Sequence, residues 1–196
     1  MTELQPVLML ASTSNPRREL IARLGLPFGV QAPQADETAQ PGEAPAQLAV
    51  RLAQAKAWSV AQALPAHLIV GSDQVAVVGE QVLGKPGNHA AAAAQLALAS
   101  GRVVHFLTAV CLLNSATGQA RTRLVPFEVQ MRVLSDRQIE RYLAREQPFD
   151  CAGALRSEGL GIVLCQRMTG DDPTALLGLP LIALSELLSE EGIAMP

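Results

Sequence analysis

Aromatic side chains, cysteines and an excess of positive charge are all scarce in this sequence. Its 196 residues include one Trp, one Tyr and four Phe, so the core must be mainly aliphatic. The formal net charge of −3 disfavours non-specific binding of nucleic acid, because such binding needs a basic surface. The three cysteines are widely spaced and form no Cys-x-x-Cys pair, which gives no sign of a zinc site and predicts reduced thiols in a cytoplasmic protein.

Long hydrophobic runs and common nucleotide-binding signatures are also missing. No apolar stretch approaches the roughly 20 residues that span a bilayer, and the N-terminus lacks the features of a signal peptide, so we expect a soluble protein without a membrane partner. Neither a Walker A loop nor a Gly-x-Gly-x-x-Gly dinucleotide signature occurs. Without repeats, low-complexity segments or linkers, the sequence predicts a single α/β domain over residues 1–196, with two lobes around a cleft as an open alternative.

The most informative stretch is the apolar run 68–70, which predicts a buried strand. Gly71 and Ser72 are expected to end this strand, leaving Asp73 where it leaves the sheet. Ligands of open α/β sheets bind at such strand ends, where a carboxylate can hold a metal or accept a proton from water. The alternative is that Asp73 caps a turn.

A strand, a hydroxyl-rich loop and a helix start follow one another near the N-terminus. The run 7–10 predicts a strand, Ser12 lies in the loop, Ser14 or Asn15 can cap a helix, and Pro16 suits its first turn. Arg17 and Arg18 then stand where backbone N–H groups favour an anion, which indicates phosphate binding. A solvated arginine pair is the alternative, although the helix dipole disfavours cations at this end.

Three further charged positions lie in different predicted elements. Glu37 belongs to a polar loop and is either surface polarity or a carboxylate for a Mg²⁺ ion that phosphates already hold. Lys56 lies on a long amphipathic helix predicted over 44–63. Lys85 follows a predicted hairpin, on a Gly-Lys-Pro corner that would hold it for a phosphate unless it is an ordinary surface lysine.

Asn88 is expected to cap a helix that runs through Ala99. The rest of the chain predicts a long antiparallel pair over 102–114 and 120–133, a helix from Ser135, a strand over 161–168 and a closing helix over 176–188. Between them, glycines around Glu158 indicate a loop that approaches a ligand closely. Six polar residues together suit a Mg²⁺-bound polyphosphate, because cations would neutralise the phosphate charge and carboxylates would hold the metal and position a water. They are Ser12, Arg17, Glu37, Lys56, Asp73 and Lys85.

These segments, with their neighbours, resemble the Maf family of nucleotide pyrophosphatases in order and over nearly the whole chain. The matching motifs are Leu10-Ala11-Ser12-Thr13-Ser14, Arg17-Arg18, Asp36-Glu37-Thr38, Arg51-Leu52-Ala53, Lys56-Ala57, Gly71-Ser72-Asp73-Gln74, Gly84-Lys85-Pro86, Cys151-Ala152-Gly153 and Ser157-Glu158-Gly159. The resemblance implies an elongated mixed α/β fold of the Maf/ITPase-like kind, with a central twisted mixed sheet, flanking helices and a deep cleft. It also implies Mg²⁺- or Mn²⁺-dependent hydrolysis of a nucleoside triphosphate to the monophosphate and diphosphate.

Site residues follow from the resemblance one by one. Asp73 would be the general base or a metal ligand, and Glu37 a further metal ligand. The triphosphate would be bound by Arg17, Lys56 and Lys85, with Ser12 and Arg18 beside them.

Within the family, the sequence is similar to the branch that acts on 7-methyl-GTP. Gln74 directly after Asp73, Glu158 in its loop and the closing segment 178–182 are the features that fit. A carboxylate at Glu158 could accept hydrogen bonds from N1–H and N2–H of guanine and would favour the positive charge of a 7-methylated base. Pro16 stands where that branch often carries a Trp that could stack on the cationic base.

Two other functions stay open at this stage. One is a dTTP or UTP pyrophosphatase of the same family, and the other is a nucleotide-binding regulator of septum formation and cell division. We also expect a two-fold homodimer, the commonest soluble assembly.

Overall fold

The computed structural model describes residues 7–195, which form seven strands and five α-helices. The strands are β1 (Val7–Ala11), β2 (Phe28–Gln31), β3 (His67–Val78), β4 (Gln81–Leu83), β5 (Val103–Asn114), β6 (Gln119–Met131) and β7 (Cys165–Thr169). The helices are α1 (Asn15–Ala22), α2 (Pro45–Ala61), α3 (His89–Ala99), α4 (Asp136–Glu146) and α5 (Leu181–Glu190). Within the described part of the chain, no helix combines the length and apolar character needed to cross a membrane.

All strands belong to one mixed sheet. Its order is β2-β1-β3-β5-β6-β7, with β4 paired to β3. The pairs β1–β2 and β1–β3 are parallel, whereas every pair from β3 onwards is antiparallel. The predicted α/β class with a central mixed sheet is therefore confirmed.

Strand β3 is longer than the sequence predicted, and this changes the setting of Asp73. The expected end of the strand at Gly71 and Ser72 is wrong, since β3 runs on to Val78. The reason is β5, which pairs with β3 over ten successive positions and includes Asp73 opposite Ala109. Asp73 therefore lies inside a strand, which also rules out the turn-capping alternative.

One edge of β3 has a gap in its pairing. The parallel partner β1 ends at Ala11, opposite Gly71, and β4 begins to pair only at Ala76. Residues 72–75 are thus hydrogen-bonded to β5 on one side, while their other side lies between the end of β1 and the start of β4. This gap takes the place of the strand end that the sequence suggested, and it is where a ligand can approach the sheet.

Alternation along β3 divides the core between two faces. Ile69 and Val75 pack with α2, whereas Leu68 and Val70 pack with α1 and α5. A third cluster lies under α3 and α4 around Phe106. Asp73 therefore shares the face of α2.

Two predicted boundaries in the C-terminal third need correction. The strand expected over 161–168 is a 3₁₀ helix (Leu160–Leu164) followed by β7, because the Gly161 N–H closes a turn on the Arg156 carbonyl oxygen at 3.0 Å. The closing helix begins at Leu181 and not at residue 176, since Gly178 adopts a left-handed φ of 96° after a short 3₁₀ turn. The predicted helices α2, α3 and α4 and the β3–β4 hairpin are confirmed to within a few residues.

Candidate active site

A cleft of about 670 Å³ opens at the gap in the β3 edge. Its walls come from the β1–α1 loop, α2, the β3–β4 hairpin, and segments 150–158 and 176–178. Nine of the residues selected from the sequence line it: Ser12, Pro16, Arg17, Glu37, Lys56, Asp73, Gln74, Lys85 and Glu158. Arg18 is exposed and is not among the lining residues.

A buried lysine joins the two carboxylates of the cleft. Lys56 Nζ lies 2.6 Å from Oδ1 of Asp73 and 2.7 Å from Oε1 of Glu37. Lys56 is only 6% exposed, and Asp73 is 8% exposed. Such a buried ammonium needs anionic partners, because an isolated charge would be expensive to remove from water.

The position of Lys56 follows from the packing of α2. The residue belongs to the buried stripe of that helix, one turn after Leu52 and one turn before Val60. The helix lies directly on β3 at Gly71, where a Cβ atom would come within 2.1 Å of the Ala53 carbonyl oxygen. Gly71 thus allows the close approach that brings the lysine to Asp73.

Glu37 reaches this lysine from a loop that helix α2 holds by a second ion pair. Arg51 donates from Nε and Nη2 to Glu43 at 2.6 and 2.9 Å, and from Nη2 to the carbonyl oxygen of Thr38 at 2.9 Å. Burial raises the pKa of Glu37, but the hydrogen bond and charge of Lys56, with other nearby cations, outweigh it and leave the pKa below its ordinary value. Glu37 is therefore ionised at neutral pH.

Arg17 enters the cleft from the opposite face of the sheet. Its Nε donates to the carbonyl oxygen of Gly178 at 2.7 Å. Burial lowers the pKa of the guanidinium, and the charges of Asp73 and Glu37 oppose this shift. Arginine remains protonated in such a setting, so a fixed positive charge faces the two carboxylates.

The loop that begins α1 is organised by its own hydroxyl groups. The Ser14 N–H donates to Oγ of Ser12 at 3.1 Å, and Oγ of Ser14 caps the helix by accepting from the Arg17 N–H at 3.5 Å. Pro16 occupies the first turn and lines the cleft. The predicted helix start is confirmed, with its first N–H groups beside the cleft.

Lys85 lies on the corner after β4. The carbonyl oxygen of Gly84 accepts hydrogen bonds from Nε2 of Gln95 at 3.1 Å and from the Gly153 N–H at 3.3 Å. These contacts fix the backbone next to Lys85, while its side chain stays exposed in the cleft. The predicted tight corner is thus present.

Gln74 has a structural role that its sequence position did not reveal. Its Nε2 is bonded to Oγ1 of Thr108 at 3.0 Å and to the carbonyl oxygens of Ala175 and Leu176 at 2.8 and 3.0 Å. The side chain therefore ties the cleft wall 175–178 to the sheet. Contact of Gln74 with a base stays a prediction.

The family described as Maf-like protein matches residues 7–191. The chain belongs to the Maf family. This confirms the resemblance that the motifs indicated.

Several curated relatives match this Maf-family chain over nearly its whole length. The 7-methyl-GTP pyrophosphatase of Nitrosococcus oceani is 56% identical over 187 residues, which are 95% of this chain and 94% of that protein. The 7-methyl-GTP pyrophosphatase of Thiobacillus denitrificans is 54% identical, with 98% and 96% of the two chains covered. The protein of the same name from Alcanivorax borkumensis is 52% identical over the full length of both chains.

The Maf-family cleft also contains charged residues that sequence reasoning missed. Arg156 and Asp150 line it near Glu158, and Nη2 of Arg156 donates to Oδ1 of Asp150 at 2.8 Å. The thiol of Cys151 lies beside them, where burial raises its pKa to about 11, so it stays protonated at neutral pH. The sequence did offer one signal for Arg156, since this cation lies just before Glu158. The ion-pair partners of Arg156, however, come from other segments.

In this Maf-family cleft, Glu37 and Asp73 are two carboxylates that lie close together, joined by Lys56. Among residues 7–195, no group of three or more His, Cys, Asp or Glu side chains could hold a metal through protein ligands alone. A Mg²⁺ ion that takes most of its ligands from phosphate and water needs only one or two carboxylates. The pair around Lys56 fits that requirement.

Proposed function

We propose that this protein is a nucleoside triphosphate pyrophosphatase that hydrolyses 7-methyl-GTP to 7-methyl-GMP and diphosphate. Such an enzyme removes a modified nucleotide before it can enter nucleic acid. The observation that carries the proposal is the buried Lys56, bonded to both Glu37 and Asp73 within 2.7 Å in a cleft that Arg17 and Lys85 also line. Membership of the Maf family and the names of the relatives described above support the same reaction.

The three cations are suited to the triphosphate. Arg17 offers a rigid fork of N–H donors, while Lys56 and Lys85 act as compact charges. Their charges would neutralise the phosphate oxygens and the diphosphate as it leaves, which is the main task of a protein in phosphoryl chemistry. The N-terminus of α1, beside Ser12, adds the positive end of the helix dipole for the same anion.

Asp73 is suited to activate the attacking water. Its Oδ1 accepts from Lys56, whereas Oδ2 has no hydrogen-bond donor in the part of the chain that the structure describes. In the proposed step, Oδ2 takes a proton from a water that attacks the α-phosphorus, and the bond to the bridging oxygen of the diphosphate breaks. A positioned carboxylate of this kind typically contributes about 10²- to 10⁴-fold to the rate.

The proposal includes Mg²⁺ or Mn²⁺ as a cofactor held by Glu37 and Asp73. The bound ion would neutralise charge on the phosphates and lower the pKa of a coordinated water. The protein's own part is to keep both carboxylates ionised and close together, which Lys56 does by bonding to each of them.

The charges near Glu158 favour a cationic base. Asp150 and Glu158 are both acidic, and Arg156 offsets one of these charges, so this wall of the cleft is net negative. Methylation at N7 gives the guanine ring a positive charge that GTP lacks, and Coulomb attraction to this wall discriminates in its favour. In the proposed pose, the Glu158 carboxylate accepts from N1–H and N2–H.

The proposed setting is the cytoplasm, and the proposed assembly is a homodimer. Cys111, Cys151 and Cys165 are all free thiols, which suits a reducing compartment. Light scattering during size-exclusion chromatography would give a molecular mass of twice 20.7 kDa if the protein is a dimer.

The first experiment is a diphosphate-release assay with Mg²⁺ on a panel of ordinary and methylated nucleoside triphosphates. We expect selective turnover of 7-methyl-GTP and its loss when the metal is chelated. A preference for dTTP or UTP would keep the reaction and discard the base assignment. Failure to hydrolyse any nucleotide, with tight nucleotide binding retained, would favour a nucleotide-binding regulator.

A further inference from the structure

The loop that carries Glu158 is built around a carboxylate outside the phosphate site. Glu146, the last residue of α4, accepts a hydrogen bond at Oε2 from the Leu160 N–H at 2.6 Å. Its Oε1 lies 3.3 Å from Nη1 of Arg156, so the same side chain contacts both ends of the loop. The Glu146 side chain is only 15% exposed, which limits competition from water.

The backbone of the loop packs directly against this carboxylate. A Cβ atom on Gly159 would come within 2.7 Å of Oε1 and 2.8 Å of Oε2 of Glu146. Contacts this short do not occur for real side chains, so a Cβ atom at position 159 would force the Glu146 carboxylate out of its present position. Gly159 follows Glu158 directly, and the carboxylate therefore determines the path of the chain next to that residue.

Helix α4 holds the beginning of the loop through a second residue. The Arg156 N–H donates to Oη of Tyr142 at 3.0 Å, and that hydroxyl donates to the Ala154 carbonyl oxygen at 3.1 Å. Tyr142 lies one turn before Glu146, so both side chains point from the same face of α4. The loop is thus attached to a rigid helix on either side of Glu158.

The location of Glu146 is electrostatically unfavourable for the helix itself. A carboxylate at a helix C-terminus faces the negative end of the dipole. The guanidinium of Arg156 and the Leu160 N–H compensate for this at the loop. Glu146 is consequently better explained by the loop than by the helix.

We infer that Glu146 is a positioning residue that sets the base selectivity of the cleft by holding the loop 156–161 and, with it, Glu158. This inference rests on the proposed function, because selectivity is defined here as kcat/KM for 7-methyl-GTP relative to GTP. Glu146 itself does not touch the nucleotide; it acts through Arg156 and the Leu160 N–H.

The positioning contact can be tested without any substrate. Hydrogen exchange at the Leu160 amide should be slow in the wild-type protein and at least about tenfold faster in Glu146→Ala. Glu140→Ala is the matched control, since Glu140 is an exposed glutamate on the same helix whose carboxylate lies 3.2 Å from the surface residue His89. Glu146→Gln keeps an oxygen acceptor and should retain much of the protection. Equal exchange in the wild type and Glu146→Ala would overturn the positioning role, whatever the substrate is.

Selectivity is tested by a double-mutant cycle with Gly159. Glu146→Ala and Gly159→Ala should each lower the preference for 7-methyl-GTP about tenfold, mainly through KM, with kcat for GTP changed much less. The double variant should be no worse than Glu146→Ala, because removal of the carboxylate makes room for the new Cβ. Thermal unfolding of each variant separates this effect from general destabilisation.

The outcomes distinguish the two hypotheses. If the wild type does not turn over 7-methyl-GTP, the proposed function fails, while the exchange experiment still decides the positioning contact. If the wild type prefers 7-methyl-GTP and Glu146→Ala keeps the full preference, or if the two single effects simply add, the inference on Glu146 is wrong.

Discussion

The guanidinium of Arg17 is bonded through Nε to the carbonyl oxygen of Gly178, 161 residues away in the sequence, at 2.7 Å. The same oxygen lies 2.8 Å from Oγ of Ser72 on β3. One carbonyl group therefore links the sheet to the arginine that lines the cleft. It can do so because Gly178 adopts a φ of 96°, which an L-residue with a side chain rarely takes.

We predict that Gly178→Ala weakens substrate binding through Arg17. The new Cβ would lie 3.3 Å from Nε of Arg17, and the left-handed backbone costs about 1–2 kcal/mol for alanine. KM should rise about tenfold, which corresponds to about 1.4 kcal/mol. Gly192→Ala is the control, because Gly192 has a φ of 80° but no atom within 4 Å of the added Cβ. Both variants should lose stability, and an equal KM in the two would contradict the role of Gly178.

Asp73→Asn should abolish turnover while the protein stays folded. The amide is isosteric but cannot accept the proton of the attacking water, so kcat should fall by about 10²-fold or more. Diphosphate release measures this, and circular dichroism checks the fold. Asp171→Asn, on an exposed loop outside the cleft, is the matched control. An Asp73→Asn variant with near wild-type kcat would refute the assignment of Asp73 as the general base.

Lys56→Met should reduce both stability and activity. Loss of the ammonium leaves Asp73 buried beside Glu37 without a cation between them, and breaking a buried ion pair costs about 3 kcal/mol. Urea unfolding measures the change. Lys85→Met removes an exposed cation of the same cleft and should change the free energy of unfolding by no more than about 0.5 kcal/mol. A similar loss of unfolding free energy in the two variants would show that the buried ion pairs of Lys56 do not stabilise the fold more than an exposed cation does.

Gly71→Ala should destabilise the protein by about 3 kcal/mol, at the upper end of the usual cost of overpacking. Its Cβ would lie 2.1 Å from the Ala53 carbonyl oxygen and 2.8 Å from the Ala57 nitrogen, so α2 must move away from β3. Gly84→Ala, with nothing within 4 Å of the new Cβ, should be nearly neutral in the same unfolding experiment. If Gly71→Ala unfolds like the wild type, the close helix–strand contact is wrong.

The Glu43–Arg51 pair should make stability depend on pH in the acid range. Hydrogen bonds from Arg51 lower the pKa of Glu43 from 4.5 to about 2. Because the pKa is lower in the folded protein than in the unfolded chain, the ionised carboxylate stabilises the fold when the pH is above about 4.5. This stabilisation is lost as the pH falls from about 4.5 towards 2. The stability difference between the wild type and Glu43→Gln should therefore be constant above about pH 5 and shrink below it. Glu80→Gln, at an exposed glutamate in the β3–β4 turn, is the matched control, and a Glu43→Gln difference that stays constant down to about pH 2 would contradict the prediction.

Local signals were sufficient for much of the fold. Ser14 and Pro16 predicted the start of α1, Asn88 predicted that of α3, and the turn at Gly79 predicted the β3–β4 hairpin. Each depends on interactions within a few residues, such as the bond from the Ala91 N–H to the Asn88 side chain at 2.9 Å.

Helical periodicity could also have separated Arg17 from Arg18. The buried residues of α1 are Leu20 and Ile21, and Arg17 lies three and four positions before them, on the same face. Arg18 is rotated away and exposed. The anion-binding hypothesis treated the two arginines alike, whereas only Arg17 lines the cleft.

The sequence by itself determined the helices, the hairpin, the mainly aliphatic core and the set of charged residues suited to a polyphosphate. Only the tertiary structure decided that β3 continues through Asp73, because its pairing depends on β5, more than 30 residues away. It also decided that Gln74 ties down a cleft wall and that Glu146 and Arg156 support the loop of Glu158. Contacts of this kind join segments that are distant along the chain, and their partners are fixed by packing and not by local preference.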